Sequence, residues 1–217
     1  VTRIGFDLDN TLYYRTKRMQ RKIRARIHRL AAERLGLSVA EARRRFEANY
    51  RKVRSGSRSL MAMGMSRPEA KAIARRAMDT AEIARYIRPD PRLRKRLEAL
   101  RERIDLDLVT GSPEYLAKEK LAALRIPLTL FCHRFYGEVD RSKSDGSTFR
   151  VWTRAARCPP GECVYVGDDE VADYEVPRRL GMRAILIERG KEARRTRGGW
   201  IVPSVYRACD LLMEVLK

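Results

Sequence analysis

The sequence predicts an α/β fold, a parallel sheet with helices on both faces, interrupted by an inserted helical segment. Three observations predict it. Over residues 89–217, short apolar runs alternate with stretches of helical periodicity, the pattern of strand–helix units in a parallel sheet. Several of these runs end in polar clusters, as in Thr110-Gly111-Ser112 and Gly167-Asp168-Asp169. The first run, Val1 to Asp7, has the same form but is followed by helical periodicity from 14 to 88. The expected division is therefore a catalytic core from 1–13 and 89–217, with a helical cap, 14–88, inserted after the first strand.

Each element has its own warrant. Val1, Ile4 and Phe6 make a buried first strand. Met19, Ile23, Ile27 and Leu30 form one apolar stripe of a helix. Ser38 with Glu41 predicts a capping box for a second helix carrying Val39, Ala42, Phe46, Tyr50 and Val53, which Ser55-Gly56-Ser57 breaks. Ser66-Arg67-Pro68-Glu69 opens a third, with Ala70, Ile73, Ala77, Met78 and Ala81 on its apolar face. Beyond Arg88-Pro89-Asp90-Pro91 come a helix with Leu93, Leu97 and Leu100, a strand from Ile104 to Val109, and a helix from Pro113 to Leu124. A short apolar run near Phe131, a loop at 141–146 and a helix from about Thr148 follow. Cys163 to Val166 is a fully apolar strand, then a helix runs to Leu180, a strand from Ala184 to Ile187, and a last helix over about Ser204 to Leu216. No internal repeat is visible.

Composition narrows the function classes. The 217 residues suffice for one core and a smaller second unit. No apolar run is long enough to span a bilayer, and the N-terminal residues lack the apolar stretch of a signal peptide, so a cytoplasmic protein is expected. Four cysteines without a Cys-x-x-Cys pair, and only two histidines, disfavour a zinc site. Free thiols are the expectation, with a Cys158–Cys163 disulfide as the alternative. His28 and His133 show no partner signature and are expected at the surface. The net charge of +20 suits acidic substrates or nucleic acid, and composition alone does not choose.

In an open parallel sheet the site lies at the carboxyl ends of the strands, near the reversal of strand order. Asp7-Leu8-Asp9-Asn10-Thr11, Thr110-Gly111, Lys143, and Gly167-Asp168-Asp169 with Asp173 fall at or near such ends. Three carboxylates converging there would repel one another without a cation between them. Oxygen-only ligands favour a hard ion such as Mg²⁺.

These stretches, in this order and spacing, resemble the four motifs of the haloacid dehalogenase superfamily over nearly the whole chain. Asp-Leu-Asp-Asn-Thr-Leu at 7–12 is similar to the first motif and Val-Thr-Gly-Ser at 109–112 to the second. Lys143 stands where the family keeps its third-motif lysine, with Arg141 close enough to compete for the position. Val-Gly-Asp-Asp-Glu-Val-Ala-Asp at 166–173, then Leu-Gly-Met at 180–182, is similar to the fourth. The resemblance implies a Rossmann-like core, Mg²⁺ as cofactor and a small phosphorylated substrate. It also implies roles. Asp7 attacks phosphorus and forms an aspartyl-phosphate. Asp9 protonates the leaving alkoxide and then activates water. Thr110 and the Gly111 N–H hold phosphoryl oxygens, and Lys143 neutralises charge. Asp168 binds Mg²⁺ together with the Asp7 carboxylate and the Asp9 main-chain carbonyl. Asp173 supports this shell or the lysine from behind, and Asp169 is the less favoured ligand of the adjacent pair. Family dehalogenases lack the second acid, so Asp9 favours phosphate transfer to water. Asp-Leu-Asp-Asn-Thr-Leu-Tyr, a helical cap and then Arg-Pro-Asp-Pro-x-Leu resemble the pyrimidine 5′-nucleotidase branch, which implies nucleoside monophosphates; phosphoglycolate and sugar phosphates stay open.

Residues 14–90 hold 22 basic against 7 acidic residues, so most of the positive surplus sits in the expected cap. Arg18, Arg21 and Arg24 belong to a helix opening without one acid. This surplus would draw polyanionic esters to the acidic site, or would simply be a solvated face. Two rivals remain: a phosphomutase on the same core, and a nucleic-acid-binding protein using the basic cap, the latter less favoured because the catalytic set is intact.

Overall fold

The computed structural model of the chain describes residues 1–53, 55–78, 84–137 and 141–216; Ala81 lies outside them. The chain divides into two compact units, Val1–Tyr14 with Ile87–Lys217, and Arg15–Tyr86.

The larger unit is a seven-stranded sheet in the order β3-β2-β1-β4-β5-β7-β6, made of β1 (Arg3–Phe6), β2 (Asp105–Val109), β3 (Arg134–Phe135), β4 (Cys163–Gly167), β5 (Arg183–Ile187), β6 (Arg194–Thr196) and β7 (Gly199–Val202). All neighbouring pairs are parallel except β6 with β7. β1 is central, in register with β2 on one side (Phe6 beside Leu108) and β4 on the other (Phe6 beside Val166). The chain builds outward from β1 through β2 to β3, then returns to β4 and proceeds to β5 and β7. The order therefore reverses at β1 and β4, and a crevice at their carboxyl ends follows from the topology.

Burial explains the strand composition. Every residue of β4 is buried, and so are Ile4, Gly5 and Phe6 of β1. A parallel strand covered on both faces needs a continuous apolar run rather than alternation. Among the described residues, no helix is long and apolar enough to cross a membrane.

Three elements depart from the expected pattern. A 3₁₀ turn, Leu128–Leu130, and the two-residue β3 occupy the apolar run near Phe131. The β6–β7 hairpin was not expected at all. The stretch before Leu180 is a π-helical turn over Glu170–Glu175 leading into the short α8. The helices of this unit are α5 (Pro91–Arg101), α6 (Glu114–Leu124), α7 (Ser147–Ala155), α8 (Val176–Arg179) and α9 (Val205–Val215).

The smaller unit holds α1 (Lys17–Leu35), α2 (Val39–Val53), α3 (Gly56–Met61) and α4 (Arg67–Ala77). Its core gathers Ile27, Ala31, Ala42, Phe46, Leu60 and Ala70. α4 starts on a complete capping box, with Ser66 accepting from the Glu69 N–H and Glu69 accepting in return. The box expected at α2 is half formed. Ser38 accepts from the Glu41 N–H at 3.2 Å, but the Glu41 carboxylate pairs with Arg44 and Arg45 instead. Ser55-Gly56-Ser57 does end α2, yet Ser55 also caps α3 by accepting from the Arg58 N–H, so the breaker opens a further helix. His28 is buried, not at the surface. It lies edge-on to Phe46 and 3.2 Å from Glu47, and burial pushes its imidazolium below its usual range.

Candidate active site

The turn after β1 supplies most of the site. The Asp7 N–H donates to Val166 O at 2.9 Å, continuing the ladder between β1 and β4 by one residue. The chain then turns, with Leu8 O accepting from the N–H groups of Thr11 and Leu12. Asn10 adopts φ +62°, a left-handed conformation that asparagine tolerates better than most residues. That geometry carries Asn10 Nδ2 to Asp168 Oδ2, 2.6 Å away at the end of β4.

Asp7 is buried, and its two oxygens have separate partners. Oδ1 accepts from Lys143 Nζ at 2.7 Å and Oδ2 from the Thr11 hydroxyl at 3.3 Å. Burial is the main influence on this carboxyl. Lys143 works against it, Asp173 and Asp9 reinforce it, and the result is a pKa pushed up to about 7. Lys143 stands on a 3₁₀ turn, Lys143–Asp145. Its ammonium also lies 2.6 Å from Asp173 Oδ1 and 3.2 Å from the Tyr165 hydroxyl. Burial opposes the lysine charge, but Asp173 and Asp7 hold it protonated well above the usual range. It is Lys143, not Arg141, that reaches Asp7.

The fourth stretch splits its acids between tasks. Asp169 Oδ1 accepts from the N–H groups of Val171 and Ala172, capping the π-helical turn. Asp173 Oδ2 accepts from the N–H groups of Asp168 and Asp169 while its other oxygen faces Lys143. Gly167 makes room for this fold-back, because a Cβ there would sit 2.5 Å from the Asp173 carboxylate. One carboxylate oxygen from each of Asp7, Asp168 and Asp173 lies within 4.8 Å of the others. An all-oxygen set of this size suits a hard divalent ion. Asp173 gives one oxygen to Lys143 and the other to two backbone N–H groups, whereas the second oxygen of Asp7 meets the Thr11 hydroxyl at 3.3 Å, so Asp7 and Asp168 are the better placed pair.

Thr110 follows directly on β2, buried, with its hydroxyl accepting from the Ser112 N–H at 3.1 Å. Gly111 adjoins it, and Gly137 approaches so closely that a Cβ on Gly137 would sit 2.0 Å from Gly111 O. Among the described residues, neither Thr110 nor Gly111 bonds to Asp7 directly; its side-chain hydrogen bonds come from Lys143 and Thr11. Asp9, two residues past Asp7, turns the other way. Its Oδ1 accepts from Lys120 Nζ at 2.6 Å and from the Tyr13 hydroxyl at 2.5 Å, and its Oδ2 accepts from the Ser112 hydroxyl.

Sequence reasoning missed Lys120, Ser112, Tyr13 and Tyr165. Tyr165 lay hidden in an apolar strand. Lys120 did carry a signal: on α6 it falls on the stripe of Leu116, Ala117, Leu121 and Leu124, all buried, a place where a solvated lysine does not belong. A second unforeseen charge cluster centres on β2. Asp107, fully buried in β2, accepts from Arg3, from Trp152 Nε1 at 2.7 Å and from the His133 N–H at 2.8 Å. The His133 imidazole is partly exposed, as expected, but its ring and backbone N–H are tied to the buried Asp107. All four cysteines are free, with the sulfurs of Cys158 and Cys163 3.0 Å apart in a hydrogen bond.

No curated protein matches the chain in sequence. Solved structures do match in fold. A HAD phosphatase from Thermococcus onnurineus is 21% identical, with 98% of each chain covered and a TM-score of 0.62. A 2-haloacid dehalogenase from Pseudomonas syringae is 18% identical, with 99% of each chain covered and a TM-score of 0.60. A Thermotoga maritima protein described as a β-phosphoglucomutase is 19% identical over 99% of this chain and 100% of its own, with a TM-score of 0.64. Three chemistries stand at nearly the same distance, so this likeness speaks for the fold and leaves the reaction open. The chain belongs to the haloacid dehalogenase-like hydrolases, whose sequence profile matches it over residues 1–181.

Proposed function

We propose that the protein is a Mg²⁺-dependent phosphatase that hydrolyses small phosphomonoesters through an aspartyl-phosphate on Asp7. The observation that carries this reading is the presence of two acids with separate sets of partners on one turn. Asp7 is gripped by Lys143 at the strand reversal, and Asp9 faces Ser112, Tyr13 and Lys120. A dehalogenase has no basic leaving oxygen to protonate and needs only the first acid; a phosphatase uses both.

In the first half-reaction an Asp7 oxygen bonds to phosphorus as the ester P–O bond breaks, and the leaving oxygen takes a proton from Asp9. In the second, Asp9 accepts a proton from water as the water oxygen bonds to phosphorus. The Asp7–phosphorus bond then breaks, which frees inorganic phosphate and leaves Asp9 protonated again. Thr110 and the Gly111 N–H are assigned to the phosphoryl oxygens, and Lys143 offsets their charge. Asp7, Asp168 and the Asp9 carbonyl are the residues assigned to hold Mg²⁺, with Asp173 behind them. When bound, the ion neutralises phosphoryl charge and lets carboxylate and phosphate approach each other. The residues from 14 to 88 are assigned the role of a cap that governs substrate choice. The first-motif wording and the Arg-Pro-Asp-Pro stretch make nucleoside monophosphates the first substrates to try, followed by phosphoglycolate and sugar phosphates.

The test is release of p-nitrophenol from its phosphate ester with and without Mg²⁺. Wild-type protein is expected to release it only with the ion, and Asp7→Asn is expected to lose at least a thousand-fold in kcat (~4 kcal/mol). Release that persists in Asp7→Asn would exclude Asp7 as nucleophile. A phosphomutase, the class named for one structural neighbour, would show little release and would require a bisphosphate activator.

A further inference from the structure

We propose that Lys120 is a positioning residue for the proton-transfer acid Asp9, holding its carboxylate through a buried ion pair and balancing the charge it gains when it gives up its proton. The inference rests on the phosphatase reading above and adds a residue from outside the four motif stretches.

Lys120 has no solvent-exposed surface. A lysine so placed must be paired, because an unpaired buried ammonium costs several kcal/mol or more. Its ammonium lies 2.6 Å from Asp9 Oδ1 and 2.7 Å from the Ser112 hydroxyl, with the Tyr13 ring beneath it, centroid 5.8 Å away. Ser112 in turn donates to the other Asp9 oxygen. The Asp9 side chain is thereby fixed from three separate segments: the turn after β1 through Tyr13, the loop after β2 through Ser112, and α6 through Lys120. A lone helix-to-strand ion pair would tie down one oxygen; this arrangement holds both and sets the carboxylate plane.

The chemistry follows from the geometry. When Asp9 passes its proton to the leaving oxygen it becomes a carboxylate in a poorly solvated place. Lys120, already in contact, balances that charge without reorganisation, the condition under which electrostatic help is largest. The benefit depends on the leaving group. A nitrophenolate departs with little proton transfer, whereas an alkoxide departs only as it is protonated. A misplaced Asp9 therefore costs little on aryl esters of acidic phenols and much on alkyl esters.

The experiment compares kcat/KM, which reports the half-reaction in which the leaving group departs, on p-nitrophenyl phosphate and on glycerol 2-phosphate, in Mg²⁺, for wild type, Lys120→Met and Ser112→Ala, with thermal melts of each. Lys120→Met is expected to lose at least ten-fold more kcat/KM on the alkyl ester than on the aryl ester. Ser112→Ala, which keeps the ion pair but removes the Ser112 hydrogen bond, is expected to shift the ratio the same way by a smaller factor. Equal losses on both esters, or no loss, would overturn the inference while leaving the phosphatase reading intact. Melting of both variants below the assay temperature would also overturn it, assigning the contacts to folding alone. Failure of the wild type to release phosphate from either ester would bring down the phosphatase reading, and this inference with it.

Discussion

Asp7, the proposed nucleophile, is shaped by its surroundings before any substrate arrives. Its carboxyl is raised from 3.8 to about 7, chiefly by burial, so the folded state prefers it neutral. The sign of the pH effect follows. Below about pH 4 the group is protonated whether folded or unfolded and contributes no penalty. As pH rises toward 7 the unfolded chain releases the proton first, and metal-free protein loses stability until the folded pKa is passed. Asp7→Asn should therefore melt at nearly the wild-type temperature near pH 4 in EDTA, and roughly 5 °C above it beyond pH 7. Adding Mg²⁺ should raise the wild-type melting temperature at that pH and raise the variant's less, since the ion favours the charged carboxylate. Melting curves that run parallel across pH would reject this assignment. At the same scale, what could be read beforehand was the identity of polar residues at the ends of apolar runs: Asp7, Thr110, Asp168. What could not was the partner of each. Lys120 sits between Glu119 and Leu121 and looks like one more helix lysine until the buried face of α6 is drawn, and the Tyr165 hydroxyl is invisible within Val164-Tyr165-Val166.

Strands and helices were legible in proportion to their length and periodicity. β1, β4 and β5 are apolar runs that admit little else in an alternating chain, and β2 joins Leu106, Leu108 and Val109 around the buried Asp107. α4 announced itself with a capping box and an early proline. The elements that escaped notice are short. α3 has six residues beginning on Gly56, the composition of a break, and it exists because Ser55 caps it and Leu60 is buried against its neighbours. The β6–β7 hairpin starts in a strongly basic stretch whose outer strand buries almost nothing. Gly167 belongs to this scale too, closing β4 where Asp173 folds back. Gly167→Ala would force the Asp173 carboxylate out of a space 2.5 Å from the new methyl group. It would disturb both the N–H bonds to residues 168 and 169 and the pair with Lys143. A destabilisation of about 1–3 kcal/mol is expected in denaturant unfolding, with a larger proportional loss of phosphatase activity. Wild-type activity in that variant would show that Asp173 has freedom the contacts do not suggest.

For the molecule as a whole, charge distribution is the feature that composition announced and structure refines. The residues from 14 to 90 carry most of the positive surplus, but not all of it is available to a substrate. Arg24 donates to Glu47 at 3.1 Å and lies over the Tyr50 ring at 4.3 Å, and Arg18 lies over Tyr86 at 5.1 Å. Arg24→Gln should therefore lower the stability of the helical unit, by about 1 kcal/mol, with a modest kinetic effect. If the surplus steers anionic esters, Arg18→Gln combined with Arg21→Gln should raise KM two- to five-fold at low salt and flatten its dependence on ionic strength. Unchanged salt dependence would identify these arginines as a solvated face.

Every open sheet ends in backbone groups that can pair with another strand. On one flank β3 offers two residues. On the other β6 runs antiparallel, three residues long, with Arg194 and Arg195 exposed to water. Short, cationic margins of this kind discourage a second molecule from adding its own strand. An otherwise apolar parallel sheet is thereby guarded against fibrillar stacking at both rims.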